Sequence, residues 1–156
     1  YQGEVIYHAL RQGAEDGLFS PELAAFLRGL EDLTSVQADA FSARPYGDGL
    51  LAAACRTEAD REAVYTIIDR AVERSARLVC ANLGGILLQT GAGARIHRPA
   101  CSVAEGSTFY KGHLFRGKLE RLCAEYFTGV LGRSYAFRQV ADANLIGTAA
   151  AALLHA

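Results

Sequence analysis

From its amino end the chain shows apolar stripes of helical period separated by short polar or glycine-bearing breaks. Over residues 4–16, Val5, Ile6, Ala9 and Leu10 share a face, His8, Arg11, Gln12 and Glu15 lie elsewhere, and Gly17 is placed to stop the helix. Ser20-Pro21 supplies a hydroxyl cap and a proline at the first helical position, which predicts a second helix ending near Gly29. Asp32-Leu33-Thr34-Ser35 reads as a turn into a short helix over 36–41, and Arg44-Pro45-Tyr46-Gly47-Asp48-Gly49 as a loop; residues 50–55 are too short and alanine-rich to assign. Thr57 caps a long helix with Glu58 and Asp60 in its first turn, and Val64, Ile67, Ala71, Val72, Ala76, Val79, Leu83 and Leu87 keep helical spacing to about residue 89. Such a helix spans roughly 50 Å at about 1.5 Å per residue. Beyond Val79 it is apolar on most sides, which predicts burial of its C-terminal half, with Gly84 and Gly85 allowing another backbone to approach. Asp69, Arg70, Glu73, Arg74 and Arg77 form a charged face expected to be solvated, with modest pairs four residues apart.

The pattern changes after a loop that holds Gly91, Gly93 and Arg98-Pro99. Residues 100–104 read as a strand and 134–140 as a second. Between them, 114–130 is an amphipathic helix with Phe115, Leu119, Leu122 and Tyr126 inward. Asp142-Ala143-Asn144 is a turn, and 145–155 is an alanine-rich helix. The order strand–turn–helix–strand–turn–helix implies an α/β layer with a parallel pair of strands, so 1–91 is mainly helical and 100–156 carries the sheet, within one unit. No internal repeat is visible.

Composition narrows the class. In 156 residues, 51% are hydrophobic and 21% charged, enough apolar surface for the core of one soluble domain or a large piece of one. A formal net charge of −1 with scattered Lys and Arg gives no field for nucleic acid or an anionic membrane. No signal peptide and no bilayer-length apolar run is seen. Cys55, Cys80, Cys101 and Cys123 lack metal-site spacing. The last three sit in apolar settings and read as small buried hydrophobes in a reducing compartment, whereas Cys55 only closes an alanine run. The chain contains no Met and begins at Tyr1, which reads as a processed, tagged or partial chain.

The two strand-to-helix turns are the candidate sites. In open α/β sheets ligands gather beyond the carboxyl ends of strands, where free backbone N–H groups face anions. In "VAEGSTFYKGHLFRGKL" (103–119), Gly106 removes a side chain that would block close approach, and Ser107 and Thr108 add hydroxyls. Neither the Walker pattern nor Gly-x-Gly-x-x-Gly occurs, so phosphate binding and a plain connector both remain open. Asp142 and Asn144 read first as helix caps. Lys111 is in reach of an anion at Gly106, with a solvated surface lysine as the plainer reading. Glu4 suits the start of the first helix. His8, His97, His113 and His155 have no evident partner, and no Ser-His-Asp or Cys-His set can be placed.

The ordered set of segments resembles the C-terminal part of the large domain of hexokinases. Tyr1-Gln2-Gly3-Glu4 resembles the family's Tyr-x-Gly-Glu segment, and "DRAVERSARLVCANLGGIL" (69–87) its long helix. "VAEGSTFYKGHLFRGKLERL" (103–122) resembles its Asp-Gly-Ser-x-Tyr turn and following helix, and "VADANLIGTAAAALL" (140–154) its closing turn and helix in microbial members. Residues 42–56 and 91–99 match poorly. The resemblance implies an incomplete actin-like, ribonuclease-H-type α/β fold, helix-rich with a small partly parallel sheet. It implies a cytoplasmic sugar kinase that passes the γ-phosphate of MgATP to a hexose, glucose above all, in the first step of glycolysis. It further implies that Gly106 and Ser107 contact ATP phosphate with Thr108 beside them, that Thr34 lies near the nucleotide, and that Asn144 belongs to the turn beside the adenosine. Glu105 stands where the family usually has Asp, Ala38 replaces a second hydroxyl near Thr34, and Ala143-Asn144-Leu145-Ile146-Gly147 replaces a Gly-Ser-Gly-like turn. The family's other phosphate loops, catalytic Asp and sugar ligands belong to earlier segments, so the resemblance implies no catalytic residue and no resident metal site here, and an inactive fragment. A non-catalytic nucleotide-binding or interaction module on the same scaffold is the alternative.

Overall fold

A 33-residue helix organises the computed structural model, which describes residues 1–140 and 142–154. The elements are α1 (Gln2–Glu15), α2 (Pro21–Gly29), α3 (Ser35–Ala43), α4 (Leu50–Ala54), α5 (Glu58–Thr90), β1 (Ala100–Val103), α6 (Ser107–Lys111), α7 (Phe115–Cys123), a π-helical segment (Ala124–Val130), β2 (Tyr135–Arg138) and α8 (Ala143–Leu154). The expected starts and stops recur for physical reasons. Ser20 Oγ accepts the Leu23 N–H at 3.4 Å, and Thr57 Oγ1 accepts the Asp60 N–H at 3.1 Å. Gly17 and Gly91 follow α1 and α5 with φ of +76° and +67°, a region in which glycine is unstrained.

Two hydrophobic clusters share α5. Its N-terminal half, through Val64, Ile68 and Val72, packs with Ile6 and Leu10 of α1, Leu23 and Leu27 of α2 and Phe41 of α3. Its C-terminal half, through Ala76, Cys80 and Leu87, packs with Leu119, Leu122, Cys123 and Phe127. Side-chain polarity holds the joints. The Asp60 carboxylate accepts the Ser20 N–H at 2.8 Å and the Ser20 hydroxyl at 2.7 Å, tying the start of α2 to the start of α5. Burial alone would push this carboxyl up, but the Ser20 donors, together with those of Thr57, more than reverse it and hold it below the usual range. Glu73 is buried where α5 crosses α7: Arg121 reaches both of its oxygens at 3.0 Å, Lys118 lies 3.3 Å away, and Arg77 adds a contact at 3.1 Å. Lys118 also reaches Asp69 at 2.8 Å. The charged face of α5 is therefore not simply solvated, because α7 brings two cations onto it.

The strands form a two-stranded parallel sheet, Ala100 opposite Tyr135 through Val103 opposite Arg138. The crossover runs through α6, α7 and the π-helical segment, as a parallel pair requires. Four expectations are corrected. Residues 114–130 are not one regular helix, and the wider π turn lets Phe127 follow Leu122 inward at 1% exposure while Tyr126 turns outward at 41%. The C-terminal half of α5 is buried on one face only, since Leu78, Ile86 and Leu88 are exposed and Gly84, not Gly85, lies against a neighbour, the Phe127 ring. Cys55 is buried and Cys101 exposed, because Cys101 takes the outer face of β1. Residues 50–54, unassigned from sequence, form α4, and α8 begins at Ala143, two residues earlier than its apolar pattern. Burial pushes the thiols of Cys55 and Cys123 up to about 11 and about 12, which keeps both protonated and unreactive.

Two substitutions test this packing. A Cβ at Gly3 would stand 2.5 Å from Ser35 N and 2.6 Å from Leu33 O, both backbone atoms that cannot step aside, whereas one at Gly85 would meet nothing within 4 Å. In denaturant titrations Gly3→Ala should lose about 1–3 kcal/mol, and Gly85→Ala should be neutral or gain up to about 1 kcal/mol. The Glu73 cluster predicts a pH effect. Burial raises the Glu73 carboxyl, but the hydrogen bonds from Arg121 and Lys118 outweigh it, so its folded-state pKa is lowered. Its stabilisation is complete above the unfolded value of about 4.3 and disappears as pH falls through the lower folded value. Glu73→Gln should be less stable than wild type at neutral pH, and the gap should shrink on acidification, measured by denaturant titration across that range.

Candidate functional site

Both strand-to-helix turns lie at the carboxyl ends of β1 and β2, and the parallel register sets them side by side. Glu105, after β1, extends its carboxylate to accept the Asn144 N–H of α8 at 3.2 Å. An open cleft of about 570 Å³ lies between the turns, bounded by Glu105, Gly106, Lys111, Gln139, Asp142 and Asn144. That volume falls within the roughly 300–1,000 Å³ usual for small-molecule sites. Gly106 has φ +102°, and a Cβ built on it would meet nothing within 4 Å, so backbone conformation requires the glycine while the space above it is open. Asp142 has φ +54°, the one positive value at a non-glycine position among the described residues, at the cap of α8.

A smaller, apolar-floored cleft of about 210 Å³ lies on the other side of α6. Ile6, Ala38, Ile68 and Phe115 line it, with Ser35, Asp39 and Thr108 among its polar groups. Asp39 closes one end by accepting the His113 N–H at 2.7 Å. Lys111, the last residue of α6, borders both clefts.

The candidate residues are distributed unevenly over this site. Gly106 and Asn144 share the larger cleft, and Thr108 borders the smaller one. Ser107 opens α6, and its side chain lies outside the described residues. Thr34 borders neither cleft. Its hydroxyl donates to Gln37 Oε1 at 2.8 Å and accepts the Gln37 N–H at 3.2 Å, while its own N–H donates to the same Oε1 at 2.8 Å. This is a capping box that starts α3, and it uses the one proton the hydroxyl can donate. The sequence reading missed this box, although Thr34 and Gln37 stand at its spacing. It also missed the Glu105–Asn144 contact, which joins residues far apart in the chain. Among the described residues no group of three or more His, Cys, Asp or Glu could hold a metal ion.

A family model described as Hexokinase matches residues 1–154, essentially the whole chain. The chain belongs to the hexokinase family. No curated protein and no solved structure gave a match. Among the described residues no helix is long and apolar enough to cross a membrane.

The capping geometry of Thr34 yields a discriminating prediction. Thr34→Ala should cost about 1 kcal/mol of stability. Thr34→Asp, which keeps an acceptor for the Gln37 N–H, should restore most of that loss. Both effects are measured by denaturant titration.

Proposed function

We propose that this chain forms the nucleotide-side part of a cytoplasmic hexokinase of actin-like fold, which transfers the γ-phosphate of MgATP to a hexose hydroxyl, glucose above all, yielding glucose 6-phosphate. The observation that carries the reading is the single cleft between the two strand-to-helix turns, in a chain whose family match spans residues 1–154. The phosphate chain lies over the open face of Gly106 with Ser107 beside it, Thr108 standing at the neighbouring smaller cleft, and the adenosine lies toward Asp142 and Asn144. Phosphoryl transfer depends chiefly on positioning and charge neutralisation, and a cleft with room above a glycine backbone supplies the first. No residue of this chain is assigned as the base that accepts the hexose proton, and the chain by itself is expected to be inactive. A nucleotide-binding module without transfer activity is the second reading, favoured by Ala143-Asn144-Leu145-Ile146-Gly147 at the closing turn, where the resemblance implies a Gly-Ser-Gly-like sequence.

The test is ATP-dependent phosphorylation by the intact protein across several hexoses. Turnover with glucose or another hexose is expected, and nucleotide binding without turnover on any of them would select the second reading. Gly106→Ala should raise the KM for ATP. Its positive φ adds a strain cost of about 1–3 kcal/mol, so stability without nucleotide must be measured on the same variant. A stability loss with unchanged KM would make Gly106 a turn residue only.

A further inference from the structure

Tyr110 holds the first strand-to-helix turn from two sides. Its phenol donates to the Ala104 carbonyl at 3.0 Å, six positions back in the chain, and its backbone N–H donates to the Gly106 carbonyl at 3.4 Å. Ala104 is where the sheet stops. Its N–H makes a last ladder bond to the Arg138 carbonyl at 2.9 Å, and its own carbonyl takes the phenol in place of a partner strand. The helix that follows has no side-chain cap, and the space above Gly106 is open. Among the described residues the phenol is therefore the one side-chain donor to the backbone of 104–106. The ring is held in its turn. Phe109 meets it edge-on with centroids 4.9 Å apart, and the Arg116 guanidinium lies 5.9 Å from its centre. Arg116 belongs to α7 and pairs with Glu120 at 2.8 Å. Half-buried Tyr110 thus ties the turn to the helix that Glu73 anchors on α5.

We propose that Tyr110 is the positioning residue of the nucleotide turn, its phenol holding the backbone around Gly106 in the form that receives the phosphate chain. This assignment rests on the nucleotide-site reading above. A turn ordered before the ligand arrives spares binding the entropy of ordering it. Without the hydroxyl the Ala104 carbonyl turns to water, and glycine at 106 has many other conformations open to it. Loss of one neutral hydrogen bond of this kind corresponds to about a fivefold change in affinity. Tyr110→Phe removes only that bond, since the ring keeps its contacts with Phe109 and Arg116.

The experiment compares the intact protein, wild type and Tyr110→Phe, by calorimetric titration with MgATP and, separately, with adenosine, by steady-state kinetics, and by denaturant titration without nucleotide. Tyr110→Phe should weaken MgATP about fivefold, raise the KM for ATP by the same factor at unchanged kcat, and leave adenosine unchanged. MgATP binding that is unaffected in Tyr110→Phe would overturn the assignment while leaving the nucleotide site standing, and a stability loss alongside it would make the phenol a fold contact only. An equal loss for adenosine, or a fall in kcat at unchanged KM, would also overturn it, because Tyr110 would then shape the cleft or act in the transfer step. No MgATP binding by wild type would remove the nucleotide site and this assignment together.

Discussion

The buried carboxylate of Glu73 is the contact on which the two halves of the structure depend. An unpaired carboxylate in an apolar interior is strongly disfavoured, so Glu73 is compatible with burial only while Lys118 and Arg121 stand opposite it. That requirement fixes where α7 crosses α5, and α7 belongs to the crossover joining β1 to β2. The placement of both strands, and of the turns beyond them, follows from one ion cluster and the apolar contacts around it. The same helix meets α1, α2 and α3 through its other half. α5 thereby serves two cores that share little else.

The candidate site is a consequence of parallel pairing. Because β1 and β2 run in the same direction, their following turns emerge at one end of the sheet, and Gly106 and Asn144 share a cleft despite their separation in the chain. Glu105 closes the arrangement by reaching from the first turn to the Asn144 N–H of α8. The longer acid in place of the family's usual Asp is suited to that reach. The resulting cleft is built largely from backbone and short side chains, with Glu105 and Asp142 at its margin. Binding and orienting a phosphate chain is chemistry such a site can perform; accepting a proton from a hydroxyl is not assigned to it.

Much of the fold was legible because its signals are local. Ser20-Pro21, Thr57 and Gly91 announce helix ends through chemistry that acts within a turn, and the apolar spacing of α5 is long enough to be unambiguous. The failures have physical causes. Tyr126 and Phe127 are both apolar and adjacent, so only the π turn decides which of them faces the core. Leu78, Ile86 and Leu88 are apolar without being buried here, because hydrophobicity does not state which face has a neighbour. Glu73 looked like one more surface charge because its partners stand on another helix. Of the site, Gly106 was legible as a glycine at a strand-to-helix turn, whereas the Glu105–Asn144 contact was not, because its partners stand far apart in the chain.

The sequence by itself determined the longer helices, both strands, the parallel order of the last third and the family, since these rest on periodicity, local capping and residues in fixed order. Only the tertiary structure decided that Glu73 is buried against Lys118 and Arg121, that Glu105 meets the Asn144 N–H, and that Asp39 meets the His113 N–H. Each of these depends on which groups from distant segments come within about 3–4 Å, the range over which a hydrogen bond or ion pair is made or missed.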